Sequence, residues 1–354
     1  MKRCTYLLAI LALALVLGCE KLQSPTAPID KDDQQKSLSQ HRWAFAEAQT
    51  KFEAVGAELR EMMAQRLAAR LSKSAATSSQ SAAAKKITVP DDYPTIQQAV
   101  DAAVPGDKIR VNPGTYTEFV LVDVAKIEIS AVGHVVVKGG LFALADSVMI
   151  DHLNIEPLPN SDFFNVAVGV FAFGLSSFIS GVEINNNTIS GGDGGVVLLS
   201  SSNCTVKANH VSGASIGGIV LSNAGGHILD GNTATGTLFG IGMSFDCDNN
   251  KIRGNSCSSN VVGILLEGTG NQLSSNTCNG NSGFGIQVIT ASDNTIGSGN
   301  TGDDNGGDGL RLEADAVNNV VQKNTFLNNV GFDINNLGSG NTFFKNKAVN
   351  TSGV

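Results

Sequence analysis

The chain contains 354 residues and has a formal net charge of −8 at pH 7, from 24 basic and 32 acidic side chains. This acidic balance argues against nucleic acid as a partner, because phosphate binding requires a basic surface. The length alone would suggest two domains, but the internal repeats described below replace that estimate.

Residues 1–18 are predicted to be an export signal, since Lys2 and Arg3 precede an apolar run that is too short to span a bilayer. The run ends in Val16–Leu17–Gly18–Cys19, which resembles a bacterial lipobox. That resemblance implies cleavage before Cys19, lipid on its sulfur and anchoring to a membrane of the bacterial envelope, more in keeping with the outer membrane or cell surface. The alternative is an ordinary secretory signal followed by an unrelated cysteine.

Residues 39–72 have the spacing of an amphipathic helix, between a polar tether at 19–38 and a Ser/Ala-rich linker at 73–85. Apolar side chains seven residues apart form the stripe Phe45, Phe52 and Leu59, with Ala48, Val55 and Met62 beside it. The helix is predicted to be a spacer or lid, and an oligomerising stalk through which copies associate is the alternative.

The remaining domain, residues 86–354, opens with a predicted short helix at Ile96–Val104. A helix at this point would cover the open strand edges of the first coil, which would otherwise invite aggregation. Further on, Glu156–Phe173 interrupts the spacing of the repeats and carries Phe163 and Phe164. Because loops often carry function on such scaffolds, this insertion is a candidate functional region.

Two short phrases repeat from there to the end of the chain at intervals of roughly 22 residues, which is the mark of a solenoid. The first phrase is centred on an asparagine, at Asn187, Asn209, Asn232, Asn255, Asn276, Asn300, Asn324 and Asn346. The second begins with glycine and alternates apolar residues, as in Gly195–Leu198, Gly218–Leu221, Gly263–Leu266 and Gly285–Val288. Period-two alternation with Gly, Asn and Ser flanks indicates strands.

Small or apolar residues three before and two after each asparagine predict two inward-facing files. The first is Ile184, Val206, Leu229, Ile252, Leu273, Gly297, Val321 and Phe343, and the second includes Ile189, Val211, Cys257, Cys278 and Phe326. The asparagine between them lies at a bend, and stacked amides would hydrogen-bond from coil to coil as an asparagine ladder. The fold class is therefore all-β, a parallel β-helix of about ten coils.

This pattern resembles the right-handed parallel β-helix of the pectin-lyase-like superfamily, and in particular the NosD-like repeat proteins. The resemblance covers residues 86 to 350 and is specific for the fold rather than for an activity. The opening run from Tyr93 to Glu118 also resembles the first coil of pectin esterases, which implies structural roles for Tyr116 and Glu118.

The glycine phrase corresponds to the face that carries catalysis in pectate lyases, so its outward residues are the candidate site. Glu267, Arg311 and Glu313 are the candidate catalytic residues, and Gln287, Asp333 and Asn335 are candidate binding residues. Two carboxylates two coils apart would suit an inverting hydrolase, and Arg311 would neutralise a uronate carboxylate in a lyase. The alternative is structural, with Arg311 and Asp333 stacked as a surface ion pair of little value.

No cofactor is required by these sequences, but the run containing Asp303, Asp304 and Asp308 offers oxygen ligands for Ca²⁺. A polar turn is the alternative. The phrases that mark pectin esterases, polygalacturonases and alginate epimerases are absent. His210 and His227 lack partners at ligand spacing, and Cys257 and Cys278 are expected to stack in the core, with a disulfide as the alternative.

Together these patterns predict a lipid-anchored β-helix that acts as a non-catalytic scaffold or binding module of the cell envelope, with polysaccharide or another surface molecule as its partner. The absence of Trp and Tyr from the repeats weakens the case for sugar stacking. The alternative is a polysaccharide lyase, hydrolase or epimerase that uses Glu267, Arg311 and Glu313.

Overall fold

The computed structural model describes residues 84–159, 167–174, 177–244 and 246–354, together with Thr50, Lys51, Ala54 and Arg66. The export signal, Cys19, the tether, most of the 39–72 segment, nearly all of the linker, and Phe163 and Phe164 lie outside the described residues. Within the described part, no helix is long and apolar enough to cross a membrane.

The described elements are one helix, α1 (Ile96–Ala102), and 28 short strands. The first fourteen strands are β1 Lys86–Val89, β2 Lys108–Val111, β3 Gly114–Val122, β4 Glu128–Ala131, β5 Val135–Ala143, β6 Met149–Asp151, β7 Asn154–Glu156, β8 Val168–Phe173, β9 Ile179–Ser180, β10 Glu183–Asn185, β11 Thr188–Ser190, β12 Gly194–Ser202, β13 Thr205–Lys207 and β14 His210–Ser212. The others are β15 Gly217–Gly225, β16 Ile228–Asp230, β17 Thr233–Thr235, β18 Phe239–Met243, β19 Lys251–Arg253, β20 Val262–Thr269, β21 Gln272–Ser274, β22 Ile286–Ser292, β23 Thr295–Ile296, β24 Leu310–Leu312, β25 Val320–Gln322, β26 Ile334–Asn336, β27 Thr342–Phe344 and β28 Thr351–Ser352.

Each strand pairs in parallel with the corresponding strand of the next coil, which confirms the right-handed parallel β-helix, with about eleven turns instead of ten. Twelve strands form sheet 1, in the order β1-β2-β4-β6-β10-β13-β16-β19-β21-β23-β25-β27. A second sheet has two arms that meet at β5. Its long arm runs β3-β5-β8-β12-β15-β18-β20-β22-β24-β26-β28, and its short arm runs β7-β11-β14-β17. Isolated parallel bridges continue the short arm to Lys347.

The core is a column of aliphatic side chains enclosed by the three faces. Register pairs Val206 with Leu229, and Leu229 with Ile252, so that like residues stack along the axis. One predicted member was wrong, because Ile296 and not Gly297 pairs with Leu273. The chain makes its bend one residue later in that coil, which puts the glycine outside the file.

Asparagines occupy the three corners of the cross-section and form three ladders, of which the sequence analysis predicted one. In the predicted ladder, Asn232 Nδ2 donates to Asn255 Oδ1 at 3.0 Å, and Asn255 Nδ2 donates to Asn276 Oδ1 at 3.0 Å. The second ladder stacks His227, Asn250, Asn271, Asn294, Asn319 and Asn341. The third stacks Thr237, Asn260, Asn281, Asn305 and Asn329. Each ladder satisfies the backbone at a bend, where strand pairing cannot.

The short helix covers the first coil as predicted, although it ends at Ala102. Thr95 caps it by accepting from Gln98 N at 3.1 Å. The Glu118 carboxylate accepts from the backbone nitrogens of Ile96 and Gln97, both at 2.9 Å. Because helix N-terminal amides favour negative charge, Glu118 holds the helix in place, the structural role that its motif implied.

The four described cysteines are free and buried, so the stacked-core alternative holds and no disulfide is present among them. Burial raises the pKa of Cys204 to about 11 and that of Cys247 to about 12. Burial also raises the pKa of Cys278, beside the thiol of Cys257. These thiols behave as small apolar core groups.

Candidate functional site

The outward side chains of the long arm form one file across ten coils. Register stacks Leu121, Phe142, Phe171, Val197, Val220, Gly242, Leu265, Gln287, Arg311 and Asn335. The file begins apolar and becomes polar at Gln287. Asn335 and not Asp333 lies beside Arg311, so the predicted ion pair between Arg311 and Asp333 is absent.

Asp333 instead closes a turn at the end of the chain. Its Oδ2 accepts from Val349 N at 2.8 Å and from Asn350 N at 3.1 Å, and its Oδ1 accepts from Asn329 Nδ2 at 3.1 Å. Burial alone would raise the pKa of Asp333, but these hydrogen bonds outweigh it and hold the pKa below its ordinary value. Its carboxylate is therefore committed to the backbone.

Arg311 is the centre of a polar cluster that includes several predicted residues. Its Nη1 donates to Asp308 Oδ2 at 3.0 Å, and its Nε donates to Glu313 Oε1 at 2.8 Å. Gln287 Nε2 also donates to Glu313 Oε1 at 3.0 Å, and Asn335 Nδ2 donates to Asp308 Oδ2 at 2.9 Å. One cation is thus shared between two carboxylates, which a pair of amides orients.

The sequence analysis did not predict that Asp308 and Phe284 would flank this arginine. The ring centroid of Phe284 lies 5.5 Å from Arg311 Cζ, and Asp308 Oδ1 accepts from Phe332 N at 2.7 Å. The spacing of three residues between Asp308 and Arg311 was a usable signal. Two amide oxygens of the cluster, Gln287 Oε1 and Asn335 Oδ1, have no hydrogen-bond partner.

Burial limits what this cluster can do chemically. Arg311 is 5% exposed, and Gln287 is fully buried. A guanidinium that already neutralises two carboxylates and has almost no solvent contact is poorly placed to receive a third carboxylate from a sugar polymer. The cluster as it stands has the properties of an internal ion-pair network.

The two candidate glutamates do not form an open pair. Ile289 lies on the same side of the strand in the coil between Glu267 and Glu313, and it is 1% exposed. The pairing of β20 with β22 is irregular between Leu266 and Gly268, at the position of Glu267. A sugar ring would have to displace Ile289 to reach both carboxylates.

The three candidate calcium ligands serve the protein itself. Asp303 Oδ1 accepts from Leu327 N at 2.8 Å, Asp308 is bound to Arg311, and Asp304 lies at a bend with a φ of 56°. Burial raises the pKa of Asp303 against the effect of the bond from Leu327. Within the described residues, no three His, Cys, Asp or Glu side chains are grouped so as to hold a metal ion. The residues present therefore do not fit a Ca²⁺ site.

The apolar part of the long-arm file is also buried on its outer side. Phe171 and Val197 have no exposed surface, and Val220 is 2% exposed. Sheet 1 has the same strand geometry, yet its outward residues Lys251 and Arg253 are exposed. The outer face of the long arm is therefore not an open groove.

The short arm carries an accessible feature that the sequence analysis did not single out. Its outward residues form a file rich in hydroxyl groups, paired in parallel as Thr188, His210, Thr233, Ser256, Thr277, Thr301 and Thr325. These side chains are half-buried or exposed, and successive coils place them about 4.8 Å apart. The recurrence of Thr or Ser directly after each ladder asparagine was the signal.

Comparison with known proteins gives the same fold. The sequence matches the family described as "Right handed beta helix region" over residues 157–301 and 263–354. No curated protein sequence matches it.

Three solved structures illustrate the likeness. The A-module of the mannuronan C-5 epimerase AlgE6 from Azotobacter vinelandii has a TM-score of 0.54 at 16% identity, covering 73% of this chain and 93% of that chain. The periplasmic alginate epimerase AlgG has a TM-score of 0.53 at 15% identity, covering 75% and 83%. XylC in complex with xylose has a TM-score of 0.53 at 12% identity, covering 74% and 70%. At such identities the likeness concerns the fold alone.

Proposed function

This chain belongs to the right-handed β-helix family, and from that premise we propose that it is a non-catalytic binding module of the bacterial cell envelope, with polysaccharide as its ligand. The single observation that carries the proposal is the burial of the long-arm outer face, where Arg311 is 5% exposed. An enzyme of this architecture needs that face open to its substrate. A lipid on Cys19 would hold the module at the outer membrane or cell surface.

The ligand surface in this proposal is the hydroxyl file of the short arm. Its side chains can both donate and accept hydrogen bonds, as sugar hydroxyls do, and they repeat along the axis at a constant interval. A linear polysaccharide lying parallel to the axis would meet one hydroxyl per coil. The fold neighbours that act on mannuronan and alginate or bind xylose decide which polymers to test first.

The test is binding of purified protein to mannuronan, alginate, polygalacturonate and xylan. The double variant Thr233→Val and Thr277→Val removes two hydroxyls from the file while keeping the β-branched shape. Thr205→Val with Thr295→Val makes the same change on sheet 1. The first pair should weaken binding about tenfold or more, at about 1 kcal/mol per hydrogen bond, and the second pair should not. Equal effects of the two pairs, or no binding to any polymer, would overturn the proposal.

A second candidate function is a uronate lyase or epimerase, or a hydrolase, acting through Glu267, Arg311 and Glu313. It is favoured by the convergence of Arg311, Glu313 and Gln287 in one cluster. Incubation with the same polymers, with and without Ca²⁺, separates the two functions. An unsaturated product that absorbs in the ultraviolet, a cleaved chain or an epimerised sugar, lost in Arg311→Ala, would establish catalysis and reject the non-catalytic proposal.

A further inference from the structure

We propose that the outer face of the long arm is the docking site for residues 39–72 of the same chain, which lie along it as a helix. The proposal concerns a contact inside the molecule and does not depend on which ligand the module binds. It rests on the burial of this face, on the contacts of Arg66, and on the phase and length of the segment.

The burial of the face requires a second layer. Outward side chains of a sheet meet water unless another layer covers them, as the exposed Lys207 and Arg253 of sheet 1 do. On the long arm, Phe171, Val197 and Leu265 are at most 1% exposed. The described strands of the long arm make their main contacts within the solenoid. The covering layer therefore comes from elsewhere.

Arg66 identifies the chain segment that supplies this layer. Its Nε donates to Asp123 Oδ2 at 2.9 Å, and its Nη2 pairs with Asp101. Asp101 is in α1, and Asp123 directly follows β3, the first strand of the long arm. The end of the segment is thus fixed at the first coil by two carboxylates. Because these bonds join residues of one chain, they select this chain and not a second copy as the occupant.

The helical phase of the segment fits the same placement. Thr50, Lys51 and Ala54 are helical and exposed, so they mark the outer side. At about 100° per residue, the apolar stripe through Phe52 and the position of Arg66 fall on the opposite side. The stripe would therefore meet the apolar file of the long arm, and Arg66 would point at the solenoid.

The lengths also agree. The nine steps from β3 to β26 span about 43 Å at 4.8 Å per coil, and 34 helical residues span about 50 Å. The apolar part, from β3 to β22, covers about 34 Å, which needs about 23 helical residues. Counted back from Arg66, that length ends near Trp43. The segment therefore runs antiparallel to the coil order, and its start lies over the polar cluster around Arg311.

The experiment measures thiol accessibility in the full chain with Cys4→Ser and Cys19→Ser, which leaves only the four buried native cysteines. A cysteine is placed at Phe52, on the inner side, or at the exposed Ala54 as the matched control. Maleimide labelling at Phe52→Cys should be at least about tenfold slower than at Ala54→Cys, as expected for a site that reacts only after local opening.

A charge on the docking face should release this protection. Val220→Asp changes an outward residue, and Lys207→Asp on sheet 1 is its control. Val220→Asp should bring labelling of Phe52→Cys to the rate of Ala54→Cys with the far-UV circular dichroism unchanged, whereas Lys207→Asp should leave the protection intact. Equal labelling rates at the two sites before any change to the face, or protection that survives Val220→Asp, would overturn the proposal. Protection that disappears on dilution would do so too, because it would identify a second copy as the occupant.

Discussion

His227 makes the stability of the solenoid depend on pH in a way that can be measured. It occupies the first rung of the second ladder, where its Nδ1 accepts from Cys204 N at 2.9 Å and its own backbone nitrogen donates to Asn250 Oδ1 at 2.9 Å. The acceptor at Nδ1 requires the neutral ring, because a protonated imidazole has only donors. Acid must therefore break this rung.

The magnitude follows from the pKa. Burial lowers the pKa of His227 to about 4, and the weaker effects of the backbone of Cys204 and Ser201 act in the opposite direction. Because the folded pKa lies below the ordinary value of 6.5, the stabilisation is fully present above pH 6.5 and is lost as the pH falls to about 4. A difference of about 2.5 pKa units corresponds to about 3 kcal/mol.

The assay compares urea unfolding of wild type and His227→Asn between pH 8 and pH 4, followed by far-UV circular dichroism. Asparagine supplies the same acceptor to Cys204 and does not titrate, so the variant should lose about 3 kcal/mol less than wild type between pH 6.5 and 4. His210→Asn, on the exposed side of the short arm, should follow wild type. Parallel curves for wild type and His227→Asn would refute the reasoning.

Three further predictions concern the packing of the coils. Asn255→Ala leaves buried amide donors without acceptors and should lower the free energy of unfolding by about 3 kcal/mol, and Asn346→Ala at the end of the ladder should cost less; equal losses would contradict the ladder account. Gly263→Ala would place a Cβ 2.5 Å from a backbone oxygen of the next coil and should cost at least about 2 kcal/mol, whereas Gly297→Ala, with its nearest contact at 3.4 Å, should be mild when both are compared by thermal unfolding. The four buried cysteines should resist iodoacetamide in native protein and react in urea, as read by mass spectrometry; rapid native labelling would show that the core opens.

The sequence was sufficient to predict the coil period, the β-helix and the ladder through Asn255, because every coil repeats the same chemistry at the same corner. The other two ladders were missed although Asn250 and Asn260 recur at the same interval. Their first rungs are His227 and Thr237, which interrupt the pattern to the eye but not its physics. A corner requires only a side-chain acceptor for a backbone amide.

The candidate site was predicted less well, for two physical reasons. The position of Asp333 was assigned by aligning glycines, but backbone hydrogen bonds set the register and bring Asn335 beside Arg311. Strand alternation also identifies which side chains point outward without saying whether another layer covers them. Gln287 and Arg311 were therefore expected on an open surface and are buried.

The ladders also make the length of the rod adjustable. Each rung presents to the next coil the same donor and acceptor that it receives from the one before, so a winding of some 22 residues could be inserted or deleted without changing the surroundings of those beyond it. Evolution can thus lengthen or shorten such a protein in whole units, and a designer could set its reach from the envelope by copying one internal winding.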